Sequence, residues 1–213
     1  LDRDPLALLI GMLLDQQFPM ERAFADPAKI RDRFGSMDPV AIADADPEKF
    51  ADLCATPPAI HRYGRSMAGR VQDLARVVVD DYDGDAARIW TEASSGAELM
   101  KRLVALPGFG EQKAKIFLAL LGKQYGFAGD GWREASAPYG EAGSFRSVAD
   151  IVSPESLLKV REHKQAMKAA ASRCGWSSMT SRRPRLPPRS SIRVRPPCPT
   201  GRALSWMPST CPA

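Results

Sequence analysis

The chain has 213 residues, with 30 Lys and Arg against 25 Asp and Glu and 44% hydrophobic residues, enough for one ordinary domain with its own core. No apolar run approaches the ~20 residues of a membrane span, nothing reads as a signal peptide, and four cysteines without a CxxC give no zinc or iron–sulfur spacing. No metal or cofactor is therefore expected, a reducing, cytoplasmic setting fits best, and the formal charge of +5 is unevenly placed: residues 172–213 hold eight Arg, no Lys and no acid, which leaves −3 for residues 1–171.

The first helix is expected over 4–17, with Leu6, Leu9, Ile10, Leu13 and Leu14 inward. Asp15 reads as a surface charge. Gln16 and Gln17 read either as a solvated helix end or as a contact to base edges, which a Gln amide can hydrogen-bond. Pro19 breaks this helix, and a second is expected over 20–34, closed by Gly35. Asp38-Pro39 and Asp46-Pro47 each place an acid before a proline, an N-cap and N1 pair opening short helices at 39–44 and 47–54. His61 reads as a loop residue, with a phosphate or pocket contact as the alternative. A long helix follows over 64–81, with Met67, Val71, Leu74, Val77 and Val78 inward, and a short helical turn at 86–91.

The next segment carries the most information. Apolar residues at 99, 100, 103 and 104 have a helical period, Leu106-Pro107-Gly108-Phe109-Gly110 forms a turn, and Ala114, Ile116, Phe117, Leu118, Leu120 and Leu121 continue a second helix to Gly122. Two glycines at i and i+2 permit a tight turn with bare backbone, and the following helix aims its first N–H groups at the same spot. A turn joined to a helix N-terminus is an anion site suited to phosphate, with Lys113 and Lys115 adding charge. This reads as a helix-hairpin-helix over 96–122 that grips a nucleic-acid backbone without reading sequence. The plainer alternative is an αα-hairpin with a glycine turn.

Residues 126–143 read as an irregular Gly-rich loop, in which Trp132 and Tyr139 either stack on an extruded base or pin the loop to the core. Ser153-Pro154 caps a final helix to Ala171, where Arg161, Lys164 and Lys168 share one side and His163 is expected to face solvent. No strand pattern appears, so the fold class is all-α: one domain over 1–171 with many short helices around one core. Residues 172–213 contain eight of the 18 prolines and three of the four cysteines. Their composition predicts disorder, either as a basic arm for nucleic acid or, a better fit to the abrupt loss of Lys, Asp and Glu, as the product of a shifted reading frame in GC-rich DNA.

Taken together, residues 4–171 resemble the helix-hairpin-helix-GPD superfamily of base-excision DNA glycosylases. The resemblance rests on Leu8 to Gln17, on Tyr63-Gly64-Arg65-Ser66-Met67-Ala68-Gly69-Arg70-Val71, and above all on Leu106 to Lys115. It implies double-stranded DNA as partner, held through sequence-independent backbone contacts by a monomer that bends the duplex and flips one nucleotide. By this resemblance Leu106, Gly108, Phe109, Gly110, Gln112, Lys113 and Lys115 form the DNA grip, and Gln17 the wedge or opposite-base contact. Bifunctional members carry a lysine two places after the second hairpin glycine; here that place is Gln112. Lys113 lies one place later, about 100° around the helix, and is expected to face elsewhere. The resemblance thus implies a monofunctional glycosylase without lyase chemistry and without an iron–sulfur cluster. Family spacing places the catalytic aspartate at Asp130, although its Gly129 and Gly131 neighbours suit a turn; Asp150 is the second candidate. Two rivals remain: a non-catalytic module for bent or damaged DNA, and a helical protein adaptor.

Overall fold

A computed structural model describes residues 4–179, with side-chain surroundings to residue 170. All its regular structure is helical, and among the described residues there is no strand, only one isolated bridge between Ser95 and Asp130. No helix among them is long and apolar enough to cross a membrane. The chain divides into a compact unit, Leu1–Ser172, and a second unit, Arg173–Ala213. The tail reading for 172–213 falls almost wholly outside the described residues.

Helix α1 (Pro5–Leu14) runs through the core. Its residues Leu6 to Leu14 are all buried, so it shows no solvent face. Asp4 caps it by accepting from the amides of Leu6 and Ala7, and Pro5 fits N1, where no N–H is needed. It stops at Leu14, three residues short of the sequence reading, because Asp15 leaves helical geometry.

The helix expected over 20–34 is two helices, α2 (Met20–Ala25) and α3 (Pro27–Phe34). Pro27 removes the amide that would continue the first ladder and opens the second at N1. Helices α4 (Pro39–Asp44) and α5 (Pro47–Ala55) start as predicted, with Asp38 and Asp46 as caps. Both pack on α6 (Gly64–Tyr82), whose buried face includes Met67, Val71, Leu74 and Val78. After α7 (Arg88–Thr91) come α8 (Gly96–Ala105) and α9 (Glu111–Gln124), which pack on each other across the turn between them.

Helix α9 runs through Gly122, where the sequence suggested a stop. The Trp132 ring lies so close that a Cβ on Gly122 would sit 2.5 Å from it. Gly122 is thus a seat for an aromatic ring inside a helix rather than a terminator. Trp132 itself opens α10 (Trp132–Ala135), a turn of helix within the predicted loop. A 3₁₀ turn, Val148–Asp150, precedes α11 (Pro154–Met179), which continues past the predicted end at Ala171.

Candidate nucleic-acid interface

The α8–α9 turn has the geometry its glycines suggest. Gly108 sits at φ +77°, and its Cα packs so closely that an added Cβ would lie 2.5 Å from Leu13 Cδ1 of α1. Both Gly108 and Gly110 are exposed. Gly110 is the N-cap of α9 and offers no side-chain acceptor, so the first-turn amides point outward without an internal partner. Leu106 and Phe109 are buried, and Phe109 packs edge-on against Phe117. Their side chains anchor the turn, leaving only backbone to offer a ligand.

The turn forms one wall of an open cleft of about 380 Å³. Met12, Asp15 and Gln16 at the end of α1 face Gly108, Gly110, Gln112, Lys113 and Ile116 across it. Lys113 is therefore not turned away from Gln112; the two line one cleft. Its long side chain curls over the Phe109 ring and donates from Nζ to the Leu13 carbonyl at 3.0 Å. That carbonyl is among the last four of α1, which no helix amide can satisfy, and it lies at the negative end of the helix dipole. Burial pushes the Lys113 ammonium down from 10.5 to about 8, against the pull of Asp15. Gln112 is exposed and donates to the Tyr139 hydroxyl at 3.1 Å, which brings Tyr139 to the hairpin. Lys115 pairs with Glu111 at 2.7 Å, which partly offsets its charge at the helix start.

Asp15 is half-buried in this cleft rather than a surface charge. Burial raises its carboxyl above the ordinary range; the nearby Lys164 and Lys113 ammonium groups oppose that, and Glu21 adds to it. Its carboxylate accepts no hydrogen bond from the described residues. The sequence signal was an acid placed at the C-terminal end of a wholly apolar helix, where the dipole disfavours negative charge.

Gln16 also borders a second, smaller cleft of about 290 Å³ with Gln17, His61, Tyr63, Ser66 and Arg70. His61 is 2% exposed and holds this corner together. Its Nδ1 accepts from the Tyr63 amide, so Nε2 carries the proton and donates to the Gln16 carbonyl at 3.0 Å. Gln17 takes φ +51°, its amide oxygen accepts from Arg62, and it is exposed at the mouth. The Gln16 side chain is held between the Leu13 carbonyl and Arg70.

The structure does not bring Asp130 to this cleft. It is exposed, and its carbonyl accepts from the Gly96 amide at the start of α8. The hairpin turn begins at the other end of that ten-residue helix, about 15 Å away at 1.5 Å per residue. Asp150 is buried and fully engaged. One oxygen takes Lys123 Nζ at 2.6 Å and the Ser144 hydroxyl; the other takes the amides of Arg146 and Ser147 in a capping box. Trp132 is half-buried over Gly122, with Arg133 over its ring, so it pins the loop. Arg161 pairs with Glu21 at 2.7 Å, and His163 is half-buried rather than solvent-facing.

An exposed glycine hairpin on an all-helical body, with an open cleft between it and the end of a buried helix, presents backbone amides in a geometry that suits an anion. A family model described as HhH-GPD superfamily base excision DNA repair protein matches residues 10–173, and the chain belongs to that superfamily. No curated protein and no solved structure gives a match.

Proposed function

We propose that the protein is a monofunctional DNA glycosylase, which extrudes a damaged nucleotide from duplex DNA and hydrolyses its N-glycosidic bond. The observation that carries this reading is the cleft beside the exposed hairpin. A phosphate held by the turn and the α9 amides places the adjoining strand at a recess walled by an acid and an amine. Backbone contacts make the grip independent of sequence, and Gln17, exposed at the mouth of the adjoining smaller cleft in left-handed geometry, suits the gap left in the base stack. Gln112, at the place where bifunctional members carry a lysine, has no nucleophilic amine, and the Lys113 ammonium in the same cleft is held by the Leu13 carbonyl, which together favour hydrolysis over lyase chemistry; the protein acts as a monomer. Family spacing would put the acid at Asp130, but that residue stands a helix length from the hairpin, and this reading rests on the cleft rather than on Asp130.

One observation favours the rival. Asp130 stands at the far end of α8, so a module that binds bent or damaged DNA without cleaving it fits that acid's position equally well. The exposure of Gly108 and Gly110 favours either DNA reading over a protein adaptor. The test uses the full chain on duplexes carrying uracil, an alkylated purine, 8-oxoguanine or a G·T mismatch, with abasic sites revealed by alkali and binding followed in parallel. Excision from any of them is the expected result. Binding without excision on all of them establishes the non-catalytic module, and no binding at low salt removes both DNA readings.

A further inference from the structure

Hydrolysis of an N-glycosidic bond builds positive charge at C1′, and a carboxylate must stand beside that carbon. Three aspartates come into question. Asp150 has no oxygen to spare, since Lys123, Ser144 and two amides occupy both. Asp130 lies a helix length from the hairpin. Asp15 lines the cleft, accepts no hydrogen bond from the described residues, and faces Lys113 across it.

We infer that Asp15 is the catalytic carboxylate of this protein, with Lys113 as the cation that protonates the departing base; the assignment rests on the glycosylase reading. Asp15 follows directly on the C-terminus of α1, so the negative end of that helix and the carboxylate act together on one side of the cleft. A cationic transition state gains there what a neutral ground state does not. The C1′–N bond breaks with its electron pair passing to the base. Water oxygen bonds to C1′ while Asp15 takes a proton from that water, and Lys113 gives one to the departing nitrogen. Asp15 is left protonated and Lys113 neutral, and exchange with solvent restores both. The environment suits each role: burial raises the acid and lowers the amine, which moves both toward neutral pH, where proton transfer is most effective. The groups around Asp15 are Lys113 of α9, Lys164 of α11 and Glu21 of α2, and Arg70 of α6 stands near Lys113.

The experiment compares the full-length protein with its Asp15→Asn and Asp130→Asn variants. Excision from the lesion it accepts is followed in single turnover. Binding is measured to duplexes holding either a cationic pyrrolidine or a neutral tetrahydrofuran in place of the sugar. Asp15→Asn is expected to slow excision ~100-fold or more while tetrahydrofuran binding changes by no more than about threefold. The wild type should prefer the pyrrolidine, and Asp15→Asn should lose that preference. Asp130→Asn should keep both properties. Thermal unfolding of each variant separates loss of chemistry from loss of fold. Unchanged excision by Asp15→Asn, or no pyrrolidine preference in the wild type, overturns the Asp15 assignment and leaves the glycosylase reading standing. A wild type that binds every duplex and excises nothing overturns that reading, and Asp15 with it.

Discussion

The two ends of helix α9 carry the same residue types in opposite states. At its C-terminal end a lysine meets an aspartate in a closed network: Lys123 donates to Asp150, Ser144 and the Glu141 carbonyl, and Asp150 has four partners. At its N-terminal end Lys113 and Asp15 border an open cleft. There the lysine is satisfied by a helix-end carbonyl, and the acid accepts nothing from the described residues. A saturated pair fixes a fold, because every lone pair is used and nothing remains for a ligand. An acid that accepts no hydrogen bond from the described residues in a half-buried cleft is costly to keep, and such groups concentrate where chemistry happens.

Disrupting the closed end should have the largest effect on stability. Asp150→Ala leaves the half-buried Lys123 ammonium without its counter-charge and two amides without an acceptor. A loss of about 3 kcal/mol is expected in chemical denaturation, with duplex affinity of the folded protein unchanged. A fall in affinity at constant stability would mean that the closed end belongs to the site. Next comes Gly108→Ala at the open end, where a methyl must enter the space of Leu13 in a backbone conformation that favours glycine. About 1–3 kcal/mol of stability should go, and duplex affinity should drop ~10-fold because the turn can no longer cradle a phosphate. Equal affinity by fluorescence anisotropy would place the DNA grip elsewhere.

Lys113→Met gives a smaller effect with a definite pH signature. The folded-state value lies near 8 and the ordinary one at 10.5, so between them the unfolded chain holds more protons. Stability from this group therefore rises with pH through that window, and its cost is fully present below about 8. Methionine removes that cost, so the variant should be more stable at neutral pH by on the order of 1 kcal/mol after solvent screening. Its advantage should vanish above about 10.5; thermal midpoints across that range would show a flat difference if Lys113 were unperturbed. Smallest of all, Lys115→Met should leave the melting temperature in place. It should weaken duplex binding evenly across sequences and lower the salt slope by about one. An unchanged slope would mean that Lys115 stays with Glu111 when DNA binds.

Local chemistry determined much of this molecule by itself. Caps such as Asp38 and Asp46, the prolines behind them, and the apolar period of α6, α8 and α9 set helices that form where the sequence places them, because a capped, amphipathic segment has one low-energy state. The hairpin was equally plain: two glycines between two amphipathic helices can do little else. Asp26-Pro27 was a boundary the sequence contained and the helical period concealed.

Tertiary structure decided which polar groups are left over. Asp15 and Lys113 lie 98 positions apart, and only the docking of the hairpin turn on Leu13 brings them to one cleft. Gly122 looks like a helix end until a ring ten residues later occupies its missing side chain. His61, a loop residue by pattern, becomes a buried brace because Gln16 presents a carbonyl to it from 45 residues away. Asp130, at the right count from Gln112, is separated from the hairpin by the length of α8. Spacing along a chain fixes position only within one rigid element, and across a loop it fixes almost nothing. The sequence therefore determined the helices and the glycine turn, and packing alone brought Asp15 and Lys113 into one cleft beside that turn.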